Sequence, residues 1–365
     1  MFLRPKFLQI SLTAAAAVFF LSGCAQKGKS PRTSSNSPET AGIANRAVNF
    51  NHQLDTYKPK KKKYSFYFSY KIIHPWWDAV ALGIEDAVRQ FEEEKGVLIE
   101  YDYIGFRTVS PQAQIEKIEE VSKSKKYDVL AVDVAERTIV TPAINEAMRG
   151  GQKVMTFSSS DACMESGCER IAYVGNTHNK EDGRMLAEAL CEKLGGSGNI
   201  AIFLGSEGVP CHEERAEGVR EVLEGHPGIK VVAEFYDDDS KEAAQAFAEK
   251  IMDEHEDLAG VICLDMTCPA IVAGEAERKG RAGDILIVGM DHDKDALHYL
   301  KSGIIYALAV QDCYSMGFDT IQVAVKIADG LAPGDGYQEL TNEKTTLIYQ
   351  DDAMELLQSI YGESR

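Results

Sequence analysis

From Tyr64 onward, short apolar runs alternate with longer stretches whose apolar residues recur at helical spacing, the pattern of repeated strand–helix units in a parallel sheet. Tyr64 to Ser69 predicts a strand, and the helix after it carries Trp77, Val80, Ala81, Ile84, Val88 and Phe91 before stopping at Gly96. Val97 to Tyr103 predicts the next strand, followed by a helix with Ser110 as cap and Pro111 at its first position. Tyr127 to Val132 and Lys153 to Phe157 continue the sheet, with a helix expected after Pro142 between them. A second series opens with a helix near Lys180. Its strands fall at Asn199 to Leu204, Val231 to Phe235, Gly260 to Leu264, Ile285 to Val288 and Tyr306 to Val310, and the last helices at Tyr314 to Asp329 and Asp352 to Tyr361. Helical patterns between successive strands permit parallel crossovers and exclude a hairpin meander. The expectation is an α/β chain of two lobes, each a parallel sheet flanked by helices, and 365 residues are enough for two separate cores.

Before Tyr64 the pattern changes. Arg4 and Lys6 form a charged start and Phe7 to Leu21 an apolar stretch too short for a membrane span, so residues 1–23 read as a signal peptide. Leu21-Ser22-Gly23-Cys24 is similar to the bacterial lipobox, which makes Cys24 the expected lipidated first residue of the mature chain and the only attachment to a membrane. Residues 24–63 are rich in Ser, Thr, Asn, Pro and Lys and read as a flexible tether.

Charge and cysteine content narrow the function. With 39 basic against 57 acidic residues the chain is not expected to bind nucleic acid, and the run Lys58 to Lys63 reads as a solvated linker end. An exported chain can form disulfides; Cys163 and Cys168 bracket a short polar loop and are the first choice, while Cys191, Cys211, Cys263, Cys268 and Cys313 cannot be paired from sequence. No cysteine pair has zinc-knuckle spacing, and no metal or cofactor is expected.

Ligands of open α/β sheets bind beyond the carboxyl ends of strands. The first predicted strand is followed by His74-Pro75-Trp76-Trp77, which holds both tryptophans of the chain at a helix start. Adjacent helical positions point about 100° apart, so at least one indole should line a cleft, where its face can stack on a sugar ring. Ser158 and Ser159 follow the fourth strand, Arg215 follows the turn Gly205-Ser206-Glu207-Gly208, and Asp265, Asp291 and Gln311 follow later strands. An arginine, carboxylates, an amide and aromatics on strand ends are what a polyol requires.

This arrangement resembles the ribose- and galactose-type periplasmic sugar-binding proteins, the type I solute-binding family, over nearly the whole chain from Tyr64. The carriers are the His74-Pro75-Trp76-Trp77 opening, Val154-Met155-Thr156-Phe157-Ser158-Ser159, Ala172-Tyr173-Val174-Gly175-Asn176 before Gly183-Arg184, Glu214-Arg215-Ala216-Glu217-Gly218, Val288-Gly289-Met290-Asp291 and Ala309-Val310-Gln311-Asp312. The resemblance implies stacking by Trp76 and Trp77, a polar contact from His74, and hydroxyl binding by Arg215, Asp265, Asp291 and Gln311. Ser158-Ser159 stand where many members carry Asp-Arg or Asp-Ser, and Asp238 where some carry an aromatic; these three complete the candidate ligand set.

The resemblance further implies three crossings between lobes, near Gly175-Asn176, near Gln311-Asp312 and around Thr341 to Thr345. Residues 64–175 with 312–343 would form the first lobe, and 176–311 with 344–365 the second. It implies a monomer in the periplasm or on the cell surface that hands a sugar or polyol to the permease of an ABC transporter. The same fold could instead present its closed form to a histidine kinase or chemoreceptor.

Enzyme readings find little support. Ser206 lacks a Gly-x-Ser-x-Gly elbow, and Gly195-Gly196-Ser197-Gly198 precedes a strand where a phosphate cradle would follow one. Asp291 to Asp295 alternates carboxylates like a calcium loop, yet Ala296 stands where such a loop needs Gly. A sugar-responsive repressor would carry a helix-turn-helix where this chain has its leader and tether.

Overall fold

Period-two alternation sorts the first strand's side chains onto opposite faces of a sheet: Phe66 and Phe68 join one buried cluster and Tyr67 another. Ile200, Ile202 and Leu204 part from Ala201 and Phe203 in the same way in a second sheet. The computed structural model describes residues 47–162 and 167–363. The expected signal peptide, the lipidated Cys24 and Cys163 lie outside the described residues.

In chain order the strands are β1 Lys63–Tyr70, β2 Leu98–Gly105, β3 Val129–Val132, β4 Lys153–Ser158, β5 Tyr173–Gly175, β6 Ser197–Leu204, β7 Gly228–Tyr236, β8 Leu258–Cys263, β9 Leu286–Met290, β10 Ile305–Gln311, β11 Leu340–Asn342 and β12 Thr345–Ile348. The helices are α1 Trp76–Lys95, α2 Pro111–Ser124, α3 Arg137–Arg149, α4 Asn179–Lys193, α5 Pro210–Glu224, α6 Lys241–Glu254, α7 Cys268–Arg278, α8 Lys294–Ser302, α9 Cys313–Ala328 and α10 Ala353–Tyr361. The first sheet has the order β11-β5-β4-β3-β1-β2 and the second β12-β10-β9-β8-β6-β7. Every pairing is parallel except β12 on β10, which is antiparallel. The expected two-sheet α/β architecture is therefore present, with one antiparallel edge.

Local signals explain most element ends. The Ser110 hydroxyl accepts from the Ala113 N–H at 3.2 Å, with Pro111 at the first helical position of α2. Gly96 closes α1 in the left-handed conformation. Pro142, expected to open a helix, lies inside α3; the cap is Glu136, whose carboxylate accepts from the Ile139 N–H. A capped start five residues upstream outweighs the one backbone bond that proline removes.

The chain passes from the first sheet to the second between β5 and α4, returns between β10 and α9, and crosses again between β11 and β12. Asn176, Gln311 and Thr345 stand at these crossings, one on each. Asn176 Nδ2 lies 3.2 Å from Gln311 Oε1, 3.3 Å from Thr345 Oγ1 and 2.6 Å from Asp182 Oδ2, so one amide ties all three segments to the start of α4.

The tether reading fails for residues 47–62. Ala47 and Val48 are buried, Phe50 meets Tyr314 at 5.1 Å and His52 meets Phe318 at 4.8 Å. The Asn49 N–H donates to Asp312 at 3.1 Å, Asp55 pairs with Lys326, and the Tyr57 hydroxyl donates to Asp329 at 2.9 Å. The segment thus lies along α9 as a strap. Its lysines are polar enough to resemble a linker, but the apolar residues before them have a helix face to cover.

Candidate functional site

Both sheets aim the carboxyl ends of their strands at one cavity. The first lobe supplies Lys71, Ile72 and His74 after β1, Trp76 and Trp77 from the first turn of α1, and Ser159 after β4. The second supplies Cys211, His212 and Arg215 from α5, then Asp239, Asp265 with Met266, Asp291 and Gln311 from the ends of β7, β8, β9 and β10.

Both indoles line the cavity and both are also mostly buried, so each is core and cleft at once. The two rings meet edge to face at 4.7 Å, and Trp77 is held between Tyr70 at 4.7 Å and Phe157 at 5.8 Å. His74 Nδ1 accepts from the Trp76 N–H at 3.2 Å, which leaves its Nε2–H to donate to Thr267 Oγ1 of the other lobe at 3.1 Å.

Arg215 is wholly buried. Its Nη1 donates to the Leu264 carbonyl at 3.0 Å and its Nη2 to Asn179 Oδ1 at 3.2 Å. Two glycines make this seat possible: a Cβ on Gly183 would lie 1.9 Å from the Arg215 carbonyl, and one on Gly218 1.9 Å from the Lys180 carbonyl. Close approach of α4 and α5 at these positions brings Arg215 over Asn179. Gln311 Nε2 donates to Asp291 at 2.9 Å, joining the cavity to the amide network of the crossings.

Eight of the ten candidates read from sequence line the cavity: His74, Trp76, Trp77, Ser159, Arg215, Asp265, Asp291 and Gln311. Ser158 and Asp238 do not. The Ser158 hydroxyl turns inward and donates to Asp133 at 2.6 Å, and Asp133 in turn accepts from Lys71 Nζ at 3.2 Å; Ser158 stands behind a lining residue. Asp238 lies in an outer groove with Arg107, and its neighbour Asp239 is the residue that faces in. Both aspartates have left-handed backbone, with φ of 55° and 56°, so the chain leaves the extended path of β7 at this point.

Charges in the cavity are matched. Burial opposes the charge of Lys71, but Asp133, Cys211 and Asp239 outweigh it and raise its pKa. Burial likewise opposes protonation of His212, yet Cys211 and Asp239 bring it up to about 9. Asp265 and the adjacent Asp237 are both raised, by burial first and then by nearby carboxylates, and the proton they retain is the one that two facing carboxyls cannot both lose. Trp76 Nε1 and Arg215 Nε are buried without a hydrogen-bond partner.

Lys71, Cys211, His212 and Asp239 were not anticipated, although a strand end precedes Lys71 and the first turn of a helix carries the two α5 residues. The disulfide in the structure joins Cys263 to Cys268 and closes the loop bearing Asp265, Met266 and Thr267. Cys168 is a free, buried thiol, and the bridge expected of it would have needed Cys163, outside the described residues. Among the described residues two buried trios, Asp291–His292–Cys313 and Asp237–Asp265–Cys268, bring metal-type donors within 4.8 Å of one another. Cys268 is consumed by its disulfide, and the first trio falls one ligand short of a structural zinc set.

The family described as periplasmic binding protein domain matches residues 66–332. The chain is 23% identical over 255 residues to the D-ribose/D-allose-binding protein of Pseudomonas aeruginosa, covering 69% of this chain and 79% of that protein. It superposes on an ABC transporter solute-binding protein from Burkholderia graminis in complex with D-arabinose with a TM-score of 0.72 at 26% identity, covering 80% of this chain and 98% of that one. A glucose-galactose binding protein from Geobacillus stearothermophilus gives 0.70 at 26% identity, with 80% and 99% covered.

Proposed function

We propose, because this chain belongs to the periplasmic binding protein family, that it captures an uncharged sugar or polyol between its lobes and delivers it to an ABC transporter permease. Membership implies a binding protein of the extracytoplasmic space and not an enzyme. The finer reading is that lipid on Cys24 holds a monomer at a membrane surface, supported by Leu21-Ser22-Gly23-Cys24 after an apolar leader.

One observation carries the ligand class: both indoles share a cavity with two unpartnered donors, Trp76 Nε1 and Arg215 Nε. A hydroxyl oxygen accepts such bonds, so a ring bearing several hydroxyls can satisfy both while its C–H face lies on an indole. Lys71, His212 and Arg215 share the cavity with Asp239 and Asp291, so a ligand of either net charge would meet groups of its own sign.

Thermal melting against pentoses, hexoses, inositols, polyols and amino acids tests this. Saturation at a hundredfold over Kd adds about 2.7 kcal/mol to the folded state. The expected outcome is a rise of several degrees with one sugar or polyol; a rise with amino acids alone contradicts the ligand class.

A further inference from the structure

The first turn of α5 brings a thiol into the cavity. Cys211 follows Pro210 at the start of the helix, lines the cavity and is 1% exposed. It has no disulfide partner. The other free thiols among the described residues, Cys168, Cys191 and Cys313, do not line the cavity, and burial raises the pKa of each.

Cations surround Cys211 from both lobes. His212 follows it in α5, Arg215 lies one turn further along that helix, and Lys71 lines the same cavity from the end of β1. Tyr173 of β5 is also within electrostatic reach, Asp265 and Asp291 line the same cavity from β8 and β9, and Asp239 acts on His212 from the end of β7. Burial opposes ionisation, but His212, Lys71 and Arg215 outweigh it and bring the thiol down to about 6. The unpartnered Arg215 Nε and Trp76 Nε1 in the same cavity independently indicate that a polar ligand sits there.

We propose that Cys211 is a thiolate in the ligand cavity, where it accepts a hydrogen bond from a bound hydroxyl and, when the lobes part and uncover it, is the site at which hydroperoxides oxidise the protein. The ligand half of this statement rests on the sugar or polyol reading above. In the oxidation the thiolate sulfur attacks one oxygen of hydrogen peroxide and a sulfur–oxygen bond forms. The oxygen–oxygen bond breaks, and the departing hydroxide takes a proton from the His212 imidazolium as water. Sulfur is oxidised to the sulfenic acid and peroxide is reduced. The added oxygen occupies the volume a ligand hydroxyl needs, so oxidation empties the site.

The test is alkylation of the folded full chain by iodoacetamide across pH, with each cysteine followed by peptide mass spectrometry. The expected result is a rate at Cys211 with a midpoint near pH 6, moved towards that of an ordinary thiol by His212→Gln. A sugar that raises the melting temperature should slow it at least about tenfold, and hydrogen peroxide should add one oxygen there and weaken that sugar's binding. A Cys211 midpoint in the ordinary thiol range overturns the thiolate assignment whatever the melting panel gives. Fast alkylation that a stabilising sugar does not slow overturns the ligand contact. If no sugar shifts the melt, the functional reading fails on that separate measurement, while the alkylation midpoint still decides the thiolate.

Discussion

Asp238 and Asp239 share a left-handed backbone; both line the outer groove, and Asp239 alone of the two also lines the cavity. Asp239 accepts from the Ser206 hydroxyl at 2.9 Å and faces His212, so it both holds the cavity wall and offers an acceptor to a ligand. Asp239→Asn should weaken sugar binding at least about tenfold, or about 1.4 kcal/mol, in calorimetric titration. Asp238→Asn should leave affinity within about twofold. The reverse ranking would return the role to Asp238. Strand-end reasoning found most of the lining because an apolar run announces where a strand stops. It could not resolve a one-residue difference at a left-handed turn, nor Lys71, whose place depends on the buried Asp133 that pairs with it at 3.2 Å.

Elements depend on partners that lie far away in sequence. The strap over residues 47–62 ties Asn49 to Asp312, Asp55 to Lys326 and Tyr57 to Asp329, and covers a helix whose residues are nearly all buried. A chain beginning at Tyr64 should therefore melt at least about 5 °C lower than one beginning at Ala47; identical melts would mean that the strap contributes nothing. Composition concealed this segment, because docking is a property of the α9 face and not of the strap's own pattern. The short strands β5, β11 and β12 were missed for a related reason: three or four residues carry too little periodicity to register. Asp182, at the junction of the three crossings, is raised by burial to about 6. Its contribution to stability is full below pH 3.8 and is lost as pH rises through about 6. Asp182→Asn should escape that loss, so its melting advantage over the wild type should grow between pH 4 and pH 7. A constant difference across that range would contradict the raised value.

On the proposed function the molecule is a clamp, and contacts between its lobes are already made around the cavity: His74 to Thr267 at 3.1 Å, Asn179 to the Ser159 carbonyl at 2.8 Å, and the ion pair of Arg137 with Glu214. These contacts exist only when the lobes meet, so they favour the shut state that ligand also favours. Thr267→Val should raise Kd about threefold to tenfold and enlarge the radius of gyration of the unliganded protein in small-angle scattering. An unchanged radius with unchanged affinity would show that closure does not draw on this contact. At this scale the sequence was most legible, because alternation of strand and helix patterns and the motifs at strand ends repeat often enough to define two sheets and a shared cleft. Its two tryptophans also provide the most direct measurement. Both line the cavity, and the chain has no others, so tryptophan emission, excited apart from the tyrosines, reports on the site alone. Titration with the sugar and polyol panel should give a saturable change in tryptophan emission for at least one member, abolished in Arg215→Ala; unchanged emission with every sugar and polyol would contradict the account.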